Sequence, residues 1–284
     1  MLRLVLLIIL FMIMTFTLVA TLVSKETGRP TADPVREINR MLSRTFGGAD
    51  RIAPDLGQAL ERMDLKLSRL GRREVESAAI AGADLDLSGG DFSGALAANS
   101  VFAGARLDAT RFVGALLDGA SFEGAAGADA KFAKARLAGA NFSAARLPRA
   151  DFAGADLKRA ALRAGDFSGA NFTGADLTGA SLSGATLDRA IIAKAFAPGG
   201  QFAAAVAVAA DFSGTDLRAV DFTGAQLRDA SFAGADVAGA VFAEARLQGA
   251  DLSAAAGLKP EQLEAACGDA STKLPHGMSL TACE

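Results

Sequence analysis

The groups in this 284-residue chain with the most chemical potential are few: two cysteines, one histidine and a spaced set of aspartates. Cys267 and Cys283 enclose 15 residues near the C-terminal end, with His276 between them. Two thiols and one imidazole fall short of the usual zinc ligand set, and their spacing follows no zinc pattern. Two readings stay open: a disulfide worth about 3 kcal/mol for a loop of this size, suited to an oxidising compartment, or two unpaired thiols. A single histidine in a tail makes no Ser/His/Asp or Cys/His arrangement, and no G-x-x-x-x-G-K-[ST] phosphate loop occurs. Asp156, Asp176, Asp216 and Asp236 recur at intervals of 20 or 40 residues, with Phe196 in the intervening place. Paired carboxylates perform acid–base work in a cleft that shifts their pKa values, and an open surface supplies none. The expectation is a protein that is not an enzyme, with no catalytic residue, cofactor or metal.

What positions these residues is a repeat. From Leu87 to Leu252 every fifth residue keeps one register through 34 pentads, and 30 of them carry Leu, Phe, Ile or Val there. The exceptions are Ala97, Gly127, Ala197 and Ala207. Two residues earlier 26 of the 34 are Ala, as in Ala175-Asp176-Leu177-Thr178-Gly179. Residues two apart on an extended stretch point to one side and turn the residue between them outward. The remaining two must turn the chain, and the second is often Gly, such as Gly154, Gly174 or Gly214. Each unit buries its apolar face only against neighbouring units, so the pattern predicts a stacked, elongated domain.

On these pentads the chain resembles the pentapeptide repeat family. The resemblance covers about 60% of the chain and implies an all-β repeat fold, a right-handed quadrilateral parallel β-helix with four pentads per coil. It implies about 8.5 coils, hence a rod about 41 Å long at a strand spacing of about 4.8 Å. In a four-sided coil the central Phe residues form two opposite columns, with mostly Leu on the other two faces. The predicted core is Phe92, Phe102, Phe112, Phe122, Phe132, Phe142, Phe152, Phe172, Phe202, Phe212, Phe222, Phe232 and Phe242. Burying each contributes roughly 1.5–3 kcal/mol. At Phe196-Ala197-Pro198-Gly199-Gly200, Phe turns outward and Pro threatens a ladder donor. That predicts a bulge or small protruding loop.

Outside the repeats the composition changes. Leu4 to Val23 is a 20-residue run without charge, long enough to span a hydrocarbon core. No convincing small-residue cleavage site follows, so residues 1–24 read as a retained membrane anchor, with a cleaved signal as the alternative. Residues 25–50 contain Pro30, Pro34, Gly47 and Gly48 and read as a linker enclosing a short helix over 35–44. Within 51–78, Leu56, Leu60, Met63, Leu67 and Leu70 hold heptad spacing. An amphipathic helix there either covers the first coil of the rod, assigned to 79–256, or joins copies through a short coiled coil. After it, 257–284 reads as a cap and tail, with a helix from Lys259 to Gly268 started by Pro260 and stopped by Gly268.

The functional expectation is a membrane-tethered scaffold or interaction rod of the bacterial envelope. It is held in the inner membrane by residues 4–23, and its rod faces the periplasm, with the cytoplasmic side kept open by Lys25, Arg29 and Arg36. Its partner is an unknown protein, homo-oligomers form through the 56–70 heptads, and no nucleic acid is bound directly. Asp156, Asp176, Phe196, Asp216 and Asp236 form the candidate interaction surface. The alternative draws on relatives that imitate DNA and bind a type II topoisomerase. Duplex DNA would carry roughly 24 charges over this length. Residues 81–256 hold 19 acids against 15 bases, which imitates it poorly.

Overall fold

The computed structural model describes residues 85–283. The expected anchor, linker and heptad helix lie outside those residues. Among the described residues no helix is long and apolar enough to cross a membrane.

Parallel bridges join each outward residue to the one 20 positions on, from Asp86↔Arg106 to Asp236↔Ala256. Twenty residues therefore close one coil, and four pentads make its four sides. The pentad explains the closure. The two inward residues, such as Ala175 and Leu177, are fully buried, and the outward Asp176 between them enters the bridge. The chain then turns: Ala175 N–H donates to the Phe172 carbonyl at 2.9 Å across Gly174, whose φ is 65°. Positive φ at the third residue of such a turn is the type II signature that favours Gly. Ala204, Ala209 and Ala219 adopt it too, at φ 55°, 55° and 54°. A left-handed L-residue costs roughly 1–2 kcal/mol, so these turns are held by the ladders on either side.

Inside, the rings stack along the axis. Phe112–Phe132, Phe132–Phe152 and Phe152–Phe172 lie 5.1, 5.0 and 4.9 Å apart and nearly parallel. The opposite column, including Phe122–Phe142 at 4.7 Å, meets them edge to face. Both geometries satisfy the aromatic quadrupole. Leu162, Leu182 and Ile192 interrupt the columns. Phe167 enters this gap from a Leu face, 6.2 Å from Phe152 and 6.1 Å from Phe172. A Cβ at Gly165 would lie 2.6 Å from the Phe167 ring, so Gly there is a packing requirement. Gly127 occupies a central position for a related reason: its Cβ would meet the Leu107 backbone at 2.3 Å. Thr110 and Thr215, buried where Ala is usual, donate their hydroxyls to the Leu87 and Ile192 carbonyls one coil below.

Two expectations need correction. Residues 196–200 neither bulge nor protrude: Phe196 bridges Asp176 and Asp216, and the Pro198 carbonyl accepts from Gly179 at 3.1 Å. The residue after the central one does not donate to the backbone ladder, so Pro198 removes nothing from it. Where the outward residue is Asp or Asn, its side chain takes this N–H instead, as Ser168 donates to Asp166. The C-terminal helix is also shorter than its start and stop signals suggest. A 3-10 turn covers only Pro260–Leu263, and strand β1, Cys267–Gly268, follows. Ala266-Cys267-Gly268 repeats the inward, outward, inward order of a pentad, and Cys267 bridges Arg246. That pairing overrides the local helical preference.

Phe222→Asp, placing a charge in the sealed bore, should abolish cooperative melting of the rod, whereas Arg228→Asp, on an exposed position, should shift the melting midpoint by less than about 2 °C. Circular dichroism on both variants checks it. Ala209→Gly should stabilise by about 0.5 kcal/mol, the left-handed relief less the added unfolded-chain entropy. Gly165→Ala should destabilise by about 1–3 kcal/mol through overpacking. Urea midpoints of the two variants would rank them.

Candidate interaction face

The outward ladder through Phe196 runs Leu96, Leu116, Arg136, Asp156, Asp176, Phe196, Asp216, Asp236 and Ala256, each bridged to the next. The fold therefore brings the five candidate surface residues into one line. Phe196 is 45% exposed, unlike the sealed Phe rings of the bore. Leu96, Ile191 and Val241 are the other large exposed apolar residues described. Leu96 lies on the same ladder near the first described coil.

Each aspartate of the line is engaged twice. Its Oδ1 accepts the N–H two residues on: Lys158 on Asp156 at 3.2 Å, Thr178 on Asp176 at 3.1 Å, Arg218 on Asp216 at 3.2 Å and Ala238 on Asp236 at 3.1 Å. These contacts hold the turn. Two cations then tie the carboxylates in pairs. Lys158 Nζ lies 3.4 Å from Asp156 and 2.9 Å from Asp176. Arg218 lies 2.6 Å from Asp216 and 3.8 Å from Asp236. Sequence reading missed both cations, because each lies two residues from one partner and 18 from the other, and the bridge shows only when successive coils are laid side by side.

These contacts shift the charges. Burial raises the Asp176 pKa, but the Thr178 hydroxyl, the Lys158 ammonium and the Thr178 N–H outweigh it and hold the carboxyl below its ordinary 3.8. The Arg218 guanidinium holds Asp216 below 3.8 despite some burial. Lys158 and Arg218 are raised in turn, each chiefly by its hydrogen bond to the aspartate. The face is thus a single exposed ring between two clusters, each of one cation and two carboxylates.

A shallow open recess lies among Val208, Gln226, Arg228, Arg246 and Gln248. Among the described residues no group of His, Cys, Asp or Glu could hold a metal ion. His276 is exposed, and Cys267 and Cys283 are joined in a disulfide.

Because folded Asp176 and Asp216 titrate below their unfolded value, the stability they contribute is complete above about pH 4 and is lost as pH falls through the folded pKa. The urea midpoint should stay flat from about pH 8 to 5 and drop below about pH 4. Asp176→Asn with Asp216→Asn should make that acid drop shallower.

The pentapeptide repeats family model matches eight copies here, over residues 81–125, 128–163, 155–192, 166–199, 201–232 and 221–255. Together these segments span more than half of the chain. A trypsin-treated form of QnrB1, a plasmid-mediated fluoroquinolone resistance protein, superposes with a TM-score of 0.51 at 21% identity, covering 62% of this chain and 88% of that one. HetL, a pentapeptide repeat protein involved in heterocyst differentiation regulation in the cyanobacterium Nostoc, gives 0.22 at 26% identity over 58% and 85%. Rfr23 from the cyanobacterium Cyanothece gives 0.30 at 18% over 49% and 90%. Of these three, the QnrB1 superposition bears on the fold, and on the fold alone. No curated protein sequence matches the chain. With 20-residue coils built from turn-closed pentads and a family model covering most of the rod, the chain belongs to the pentapeptide repeat family.

Proposed function

We propose that this protein is a non-enzymatic interaction rod that presents the Phe196 line to a protein partner, tethered to a bacterial membrane through residues 4–23. The single observation behind this reading is the exposed Phe196 ring set between paired charges. Interfaces concentrate binding energy in a central aromatic surrounded by polar groups that exclude water. A rigid coil also presents that ring at little entropic cost. The 20-residue uncharged run supports the tether, and the 56–70 heptads support association of copies on the membrane. The rod faces the periplasm in this reading, a placement that suits the disulfide.

The second reading, DNA imitation toward a type II topoisomerase, draws on the aspartate line and on the fold shared with QnrB1. It ranks lower because Lys158 and Arg218 each bridge two aspartates of the line and so offset half of its negative charge.

A photo-crosslinking residue at position 196 of the full-length chain in cells should give a discrete protein adduct, whereas the same group at Ser231, on a different face, should not. Phe196→Ser should weaken binding of the captured partner by about 2 kcal/mol, some 30-fold, with the melting midpoint unchanged. Equal adducts at both positions would reject this face. Strong inhibition of gyrase supercoiling by the detergent-solubilised protein would put the second reading first.

A further inference from the structure

The disulfide sits where it governs one small part of the molecule. Up to Lys273 the tail belongs to the ladder: the Lys273 N–H donates to Ala250, its carbonyl accepts from Leu252, and its ammonium meets Asp251 at 3.0 Å. Beyond Lys273 the chain crosses the end of the tube. Leu274, Met278 and Leu280 pack partly buried against the core there. Strand β2, Thr281–Ala282, then lies parallel to β1. Both β2 residues are exposed. Besides that two-residue pairing, the Cys283 N–H donates to Gly268 at 3.0 Å and the Thr281 hydroxyl to Ala266 at 3.2 Å. Leu280 fits against Gly268 so closely that a Cβ there would lie 3.0 Å from its methyl. A two-residue strand with both side chains in water has little to hold it once its covalent tie is cut.

We propose that the Cys267–Cys283 disulfide is a reversible redox latch on this lid, with a dithiol as its reductant. A thiolate attacks one sulfur to form a mixed disulfide, and the second thiol of the reagent resolves it. Two electrons and two protons pass to the cysteines, leaving two thiols and an oxidised dithiol. Neither cysteine is sealed from solvent. Once reduced, the segment from Pro275 to Cys283 leaves the tube end, and the outer edge of β1 becomes an open parallel edge. The rod from Asp86 to Lys273 keeps its ladders. The latch therefore sets whether the rod ends in a closed lid or in an edge competent for strand addition.

Hydrogen exchange of the full-length protein in detergent, oxidised and then reduced with dithiothreitol, tests this. Amides of residues 276–283 should exchange at least about tenfold faster after reduction, those of 86–266 should not change, and reoxidation should restore the first pattern. Cys283→Ser without reductant should reproduce the reduced pattern. Unchanged protection over 276–283 would show that packing alone holds the lid, and loosening throughout the rod would make the disulfide a general staple. Either result would overturn the latch, as would failure of dithiothreitol to reduce the bond in the folded protein.

Discussion

A tube with room for about one side chain from each wall imposes the constraint on which the rest of this molecule depends. Every pentad sends two residues inward, and two large ones cannot share the space, so a Phe or Leu is preceded at the inward position by Ala in most coils. The rings then have one free direction, along the axis, and they stack there on the residue 20 positions away. Where this rule is broken, another residue yields. Phe167 enters from a Leu face and Gly165 gives up its Cβ; at Gly127 the inward side chain is absent and the backbone closes on Leu107. The backbone is subject to the same geometry, since turning after each inward pair forces a left-handed residue even where Ala, Lys or Arg must supply it.

With the interior full, chemistry is confined to the outward positions, and these are not equally free. The residue between the two inward ones is drawn into the turn whenever it is Asp or Asn, because its carboxylate or amide oxygen takes the N–H two residues on. The residue after the central one stands beside it in the same coil, and a Lys or Arg there reaches both that carboxylate and its counterpart in the next coil. Negative charge is thereby spent on local structure instead of being offered to a partner. A large apolar residue at the same outward position has no local task, which is why Phe196 stands out on its line.

Much of this was legible in the chain because the period is short and unbroken: the inward positions and the turn glycines follow from counting by five, and the Phe columns from the four-sided coil that the family resemblance implies. The legible part ended where the relevant neighbour lies one coil away. Lys158 beside Asp176 and Thr215 above the Ile192 carbonyl are separations of 18 and 23 residues, which counting by five does not single out. Pro198 was misread for a different reason. Its rule concerns sheets in which every N–H serves the ladder, and here the residue after the central one serves a side chain. At Lys259–Gly268 the start and stop signals were local, and the chain leaves the turn after Leu263 to pair Cys267 with Arg246.

The end of the rod shows the same physics with its periodicity removed. A stacked coil stabilises its neighbours and leaves its last edge unpaired, so the terminal unit must satisfy carbonyls and cover the bore without continuing the pattern. The bridge step lengthens from 20 to 21 residues at Arg246↔Cys267 and to 22 at Asp251↔Lys273, and the added residues carry the chain outward over the opening. Leu258 and Leu263 are buried there, and the Gln262 amide donates to the Val237 and Ala240 carbonyls at 2.9 and 2.6 Å, replacing the coil that does not follow. Thr272 repeats at the end what Thr110 and Thr215 do within, donating its hydroxyl to a carbonyl of the coil below. A cap that joins side-chain donors, a few backbone bonds and some apolar packing to a single covalent tie has less redundancy than the ladders beneath it, so its last segment depends most on that tie.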